Sequence, residues 1–120
     1  MARPYVPPLS ARFVTVKIDD VSTAGQVYFA PGFTGKIKKA TSCLGGAISG
    51  ADAGLTLKIS GTAVTGGTIT IANGSSAAGD VDSCVPTGAN YFTPEDNIEI
   101  ETDGASTGTQ EVVVVLELDA

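Results

Sequence analysis

The stretch Leu55–Ala72, LTLKISGTAVTGGTITIA, constrains what this chain can fold into more than any other part of it. It holds two short alternating runs, Leu55-Thr56-Leu57-Lys58-Ile59 and Thr68-Ile69-Thr70-Ile71, joined through Gly61 and the pair Gly66-Gly67. Successive side chains of a strand point to opposite faces, so strict apolar/polar alternation is the pattern of a half-buried antiparallel strand. Leu55, Leu57 and Ile59 share one face, and Thr56 and Lys58 share the other. Threonine suits such outward positions because its branched β-carbon restricts χ1 and packs on a pleated surface.

The same period recurs along the chain. Phe13–Asp19 places Val14, Val16 and Ile18 on one face, and Gln26–Ala30 is a second strand closed by Pro31-Gly32. Residues 33–44 read as a third strand whose inward set is interrupted, because Ile37 and Lys39 share a parity. Residues 45–54 read as a loop, with Ala47-Ile48 touching the core. Thr62-Ala63-Val64 adds a short edge strand, Gly45-Gly46 and Gly66-Gly67 read as turns between strands, and Asn73-Gly74 is a preferred hairpin pair. Val81 and Val85 are expected inside, and Tyr91-Phe92 is expected to cap the core before the turn at Pro94-Glu95-Asp96. Asn97–Thr102 sets Ile98 and Ile100 inward and Glu99 and Glu101 outward. The last strand, Glu111–Asp119, holds the run Val112–Val115, as expected of a strand buried on both faces or facing a subunit interface through Val113 and Val115. The expectation is an all-β chain: an antiparallel β-sandwich or jelly roll of about eight strands over residues 13–120, behind an extended arm, residues 1–12.

With 120 residues the chain has the size of one domain and buries roughly two-thirds of its unfolded surface. In the arm, Pro4, Pro7 and Pro8 fix φ and remove three backbone donors, while Tyr5, Val6 and Leu9 are apolar. One reading is a frayed terminus. The other is an arm laid on a neighbouring subunit or partner, since a proline-rich apolar segment has little conformational entropy to lose on docking. Charge is divided along the chain. Residues 1–58 carry all seven bases and three acids, a net +4, and residues 59–120 carry ten acids and no base, which together give the net −6. If the fold keeps the halves apart the molecule has two poles; if the strands interleave, the charges mix.

Chemistry is scarce. There is no His, which removes the usual general base, the Ser-His and Cys-His nucleophile systems and imidazole metal ligands. Cys43 and Cys84 are too few for a structural zinc site; they either pair or remain as two free thiols of a reducing compartment. Asp80, Asp82, Glu95, Asp96, Glu99, Glu101 and Asp103 could supply oxygens to Ca²⁺, but their spacing fits no loop pattern, and Glu99 and Glu101 read more simply as a solvated strand face. The aromatic residues are too few to line a sugar cleft. The acidic balance disfavours nucleic acid, and no apolar run has the length of a membrane span. Met1-Ala2-Arg3-Pro4 lacks the apolar segment of a signal peptide, so synthesis in a cytosol is expected. No enzymatic activity and no cofactor are expected.

Gly35-Lys36-Ile37, Ala40-Thr41, the run from Gly46 to Ala53, LTLKISGTAVTGGTITIANGSSAAGDVDS and the closing NIEIETDGASTGTQEVVVVLELD resemble small proteins of tailed-bacteriophage structural modules. Over residues 33–119 the chain resembles a head decoration, or cement, protein of jelly-roll type. It departs from that pattern at Glu95-Asp96, where Gly-Asp would stand. The resemblance implies a homotrimer on the outer surface of the virion, bound to the major capsid protein and clamping neighbouring subunits. On this expectation the arm and strand residues Arg3, Tyr5, Val6, Leu9, Arg12, Lys36, Lys38 and Lys39 face the capsid, and the acidic half faces solvent. The alternative is a receptor- or glycan-binding tip domain of a phage tail or fibre, since jelly rolls serve there too.

Overall fold

The computed structural model describes residues 11–120. Nine strands, β1 (Ala11–Ile18), β2 (Gly25–Phe29), β3 (Gly35–Leu44), β4 (Ala53–Ile59), β5 (Thr62–Ile71), β6 (Val81–Cys84), β7 (Tyr91–Phe92), β8 (Ile98–Thr102) and β9 (Val112–Asp119), form two antiparallel sheets. One has the order β1-β9-β3-β6, with β7 also on β3; the other has the order β2-β8-β4-β5. They are named here by a central strand, the β9 sheet and the β8 sheet. Both β6 and β7 lie along the edge of β3 away from β9, β6 opposite Ala40–Cys43 and β7 opposite Gly35 and Lys36. They are two parts of one interrupted strand, which leaves eight strand positions. Apart from β4–β5 and β6–β7, every connection passes from one sheet to the other, which is the winding of a jelly roll.

The core is what the alternation requires. Val112, Val114, Leu116 and Leu118 of β9 are fully buried, as are Leu55 and Leu57 of β4, Ile98 and Ile100 of β8, and Ile69 and Ile71 of β5. The Val112–Val115 run is therefore not buried on both faces: Val113 is half-buried and Val115 is 37% exposed on the outer face.

The interrupted pattern in β3 is a β-bulge. Ile37 pairs with Leu118 and Lys39 with Glu117, so Lys38 is the extra residue, and the inward parity changes from Gly35 and Ile37 to Ala40, Ser42 and Leu44. Buried Asn90, between β6 and β7, serves the irregularity from the other side. The Ile37 N–H donates to the Asn90 carbonyl (2.9 Å), and Asn90 Nδ2 donates to the Ile37 carbonyl (2.9 Å).

Four expectations are corrected. Thr62–Val64 and Thr68–Ile71 are one strand, and Gly66-Gly67 lies inside it rather than in a turn between strands. Across from the single residue Leu57, β5 spends four residues, 64–67. Gly66 takes φ +73, and a Cβ on Gly67 would meet Val64 Cβ at 2.8 Å, so both glycines serve the bulge. The hairpin itself is the two-residue loop Ser60-Gly61, both at positive φ, as the right-handed twist of the strands favours. Asn73-Gly74 is not a hairpin, because the next strand lies in the other sheet. Val81 and Val85 are 65% and 61% exposed, because Val81 sits opposite outward-facing Cys43 and the inward residue of β6 is Cys84. Of Tyr91 and Phe92 only Phe92 enters the core, edge-on to Phe33 at 5.3 Å, since neighbours on a strand cannot share a face.

Candidate functional site

The two groups of binding residues expected from the sequence are treated differently by the fold. Arg3, Tyr5, Val6 and Leu9 lie outside the described residues. Arg12 belongs to β1, opposite Leu118; the expected arm, residues 1–12, thus gives its last two residues to the sheet. Lys36, Lys38 and Lys39 stand at the start of β3, opposite Asp119 and Glu117 of β9. Antiparallel pairing with β9 aligns the first residues of β1 and β3, so Arg12, Lys36, Lys38 and Lys39 gather at one end of the β9 sheet. That is also the end where residues 1–10 join the domain, at Ala11; it is called the arm end below.

The bulge at Lys38 makes two consecutive lysines, Lys38 and Lys39, exposed where regular pleating would turn one of them inward. Aromatic rings accompany the charges. The Arg12 guanidinium lies 6.0 Å from the Phe33 ring centre and Lys36 Nζ lies 6.0 Å from that of Tyr91, which is 73% exposed. Lys38 pairs with Glu117 at 3.7 Å. Between Thr34, Gly35, Lys36, Tyr91 and Asp119 lies a shallow open cleft of about 350 Å³. Phe13, 57% exposed, stands beside this cluster. The arrangement can receive a partner surface that offers carboxylates and apolar side chains together.

The second group, Val113 and Val115, sits centrally on the outer face of the β9 sheet. Pairing lines up Lys17, Val113, Cys43 and Val81 in one row and Thr15, Val115, Thr41 and Ser83 in the next. Seven of these eight side chains are uncharged, and Lys17 at the margin is held by Glu111 (3.1 Å) and Asp19 (3.8 Å). The hydrogen bond and charge of Glu111, aided by Asp19, raise the Lys17 pKa. Val81 and Cys43 were not nominated from sequence. The signal that finds them is the four-residue register of β6 on β3, which no local pattern in VDSC reveals.

The two charge halves do not form poles. The basic strands β1 and β3 flank the acidic strand β9, and Lys17–Glu111, Lys38–Glu117 and Lys58–Glu101 (3.2 Å) all join one half of the chain to the other. The acidic half therefore does not stand apart as a solvent-facing pole. A milder polarity runs along the strands, because Asp19, Asp20, Asp52, Asp80, Asp82, Asp103 and Glu111 crowd the end away from the arm.

Most of those aspartates shape loops. Asp20 accepts from the Ser22 amide (2.9 Å) and from the Ser22 and Thr23 hydroxyls, which lower its pKa. Asp52 accepts from the Asn73 amide, Asp80 from the Ala77 amide and Asp103 from the Ala105 amide. At the arm end Asp96 accepts from the Ser60 hydroxyl (2.7 Å) and the Thr93 amide (2.8 Å), which hold its carboxyl below the usual range. The carboxylates considered for Ca²⁺ are thus divided between opposite ends, and no group of three or more His, Cys, Asp or Glu among the described residues is placed to hold a metal ion. Cys43 is exposed on the outer face while Cys84 faces the core, where burial raises its pKa; both are free thiols. Glu101 is half-buried, and Glu99 is only 5% exposed, so the solvated face expected for them holds for neither in full.

Among the described residues no helix is long and apolar enough to cross a membrane. No protein-family model matches the chain, and no curated protein matches it significantly.

Proposed function

We propose that this chain is a structural virion protein that binds the outer surface of a phage capsid and stabilises the assembled shell. The observation that carries the reading is the meeting of the nominated basic residues Arg12, Lys36, Lys38 and Lys39 with the attachment point of the proline-rich arm at one end of a jelly roll. A clamp of this kind needs a rigid body and an extended segment issuing beside a sticky patch. Contacts made only with the assembled shell stabilise that state by mass action. The outer face around Val113 and Val115 is assigned to contact between copies, as a homotrimer, which multiplies a weak capsid contact through avidity. The partner is the major capsid protein, presenting acidic and apolar side chains at the contact.

Co-sedimentation with undecorated capsids tests the reading. The full chain is expected to pellet with the shells, and a chain lacking residues 2–11 or carrying Lys36→Glu and Lys39→Glu is expected to stay in the supernatant. Undiminished binding by the deletion chain would remove the arm from the account. Binding to host cells in place of capsids would move the chain to the tip of a tail or fibre.

A further inference from the structure

Among the described residues the two sheets have four outer edges, and three of them are blunted. In the β9 sheet the edge formed by β6 and β7 is broken in two around Asn90. In the β8 sheet β5 is bulged at residues 64–67 and bridged from Thr65 to Gly88, and β2 is only five residues long. The fourth edge, β1, is different. It runs for eight residues without proline or glycine, and its register on β9 is unbroken. Its charges, Arg12 and Lys17, stand near its two ends, with Lys17 tied to Glu111 and Asp19. Among the described residues no backbone hydrogen bond reaches its outer side. A long, regular edge is a template for another strand. Beneath it the half-buried Val14, Val27 and Phe29 leave an apolar seam toward β2, which opens into a cleft of about 290 Å³ beside Ile18 and Val27.

We propose that β1 pairs with β1 of a second copy of this chain, antiparallel across a two-fold axis through Thr15. Side-chain parity limits the register, because a shift by one residue would turn the inward set of one copy outward. With the axis on Thr15, Val14 faces Val16 of the second copy over the seam, and both stay inward. On the outer side Thr15 faces Thr15, and the 57%-exposed Phe13 is covered by the stem of Lys17. Facing threonines and an aromatic ring beside a lysine are favourable cross-strand pairs. Charge agrees with this axis. Arg12 of one copy lies opposite Ile18 of the other, next to Asp19 and Asp20 where that strand ends. An axis on Val14 pairs as many residues but carries Asp19 and Asp20 beyond Ala11, away from Arg12. The edge thus complements itself in one register, which favours a second copy over an unrelated strand. The contact does not require the capsid reading, and it uses the edge of the β9 sheet rather than the outer face around Val113 and Val115. One pair of edge strands makes a small interface, so it forms where copies are concentrated.

Thiol crosslinking with a short bismaleimide tests the register, in the full chain carrying Cys43→Ser at millimolar concentration. Thr15→Cys is expected to give covalent dimers. Phe13→Cys and Lys17→Cys are each expected to stay monomeric alone, about four residues from their own copies along the paired strands, and to crosslink when mixed. The Thr15→Cys dimer is expected to persist after Val113→Lys and Val115→Lys, which separates this contact from the one assigned to the outer face. Urea midpoints close to that of the parent chain report that each variant is folded. Absence of a Thr15→Cys dimer, equal crosslinking of Phe13→Cys alone, or loss of the dimer with the two lysines would each overturn the assignment.

Discussion

On the outer face of the β9 sheet the central row reads Lys17, Val113, Cys43, Val81; on the outer face of the β8 sheet the corresponding row reads Tyr28, Glu99, Lys58, Ala63. Both rows rest on the same kind of core, a layer of Val, Leu and Ile at near-zero exposure. Above that core the β9 sheet shows valines, hydroxyls and a thiol, with its ion pairs at the margins. The β8 sheet shows the Glu99 carboxylate and, tied together across β8 and β4, the Glu101 carboxylate and the Lys58 ammonium. A sandwich needs only that its two inner faces match, so its two outer faces are free to specialise. Here one is dry enough to meet a copy of itself without opposing the net −6 charge of the chain, and the other carries charge.

The largest effect tests the shared part of that comparison. Leu116→Ala beneath the β9 sheet and Ile100→Ala beneath the β8 sheet are each expected to lower unfolding free energy by about 2–5 kcal/mol, measured by urea denaturation. Clearly unequal losses would show that one sheet carries the fold. The next effect separates the outer faces. Val113→Lys with Val115→Lys is expected to weaken association between copies by about 2 kcal/mol or more, read as a fall from trimer to monomer mass in light scattering. Glu101→Lys on the other sheet is expected to leave that mass unchanged. A smaller effect concerns the Lys58–Glu101 pair, which is partly exposed. Glu101→Gln is expected to lower stability by less than about 1 kcal/mol, with most of that difference gone in high salt. The smallest is a pH effect at the loops. Asp20 and Asp96 have folded pKa values below their ordinary ones, so their contribution is complete above roughly pH 4 and lost as pH falls through the lowered folded values. Asp96→Asn is therefore expected to lower the urea midpoint near neutrality and to converge with the parent chain in acid.

Residue alternation made much of this fold readable in advance. Val14, Val16 and Ile18, then Leu55, Leu57 and Ile59, and Ile98 with Ile100 all face the core as a period of two requires, and the even residues of β9 do the same once Val112–Val115 is read as alternating. What stayed hidden depends on contacts distant in sequence. The bulge at Lys38 is held by Asn90, more than fifty residues away, and Gly66-Gly67 looks like a turn until Thr65 is seen paired with Gly88. Val81 opens a strand of only four residues and Val85 follows directly after it, too short a stretch for a parity to declare itself. The binding residues follow the same division. Lys36, Lys38 and Lys39 are conspicuous in sequence, and pairing through β9 brings Arg12 to them. Glu99 was legible as outward-facing but not as largely covered, because its neighbours in register come from β2 and β4.

Electron microscopy of the virion proposed to carry this chain bears most directly on the central claim. The account predicts density for the jelly roll on the outer surface of the head, with its arm end against the major capsid protein and the outer faces of the β9 sheets turned toward one another. Density confined to the tail or its fibres, or an arm end pointing to solvent, would contradict it.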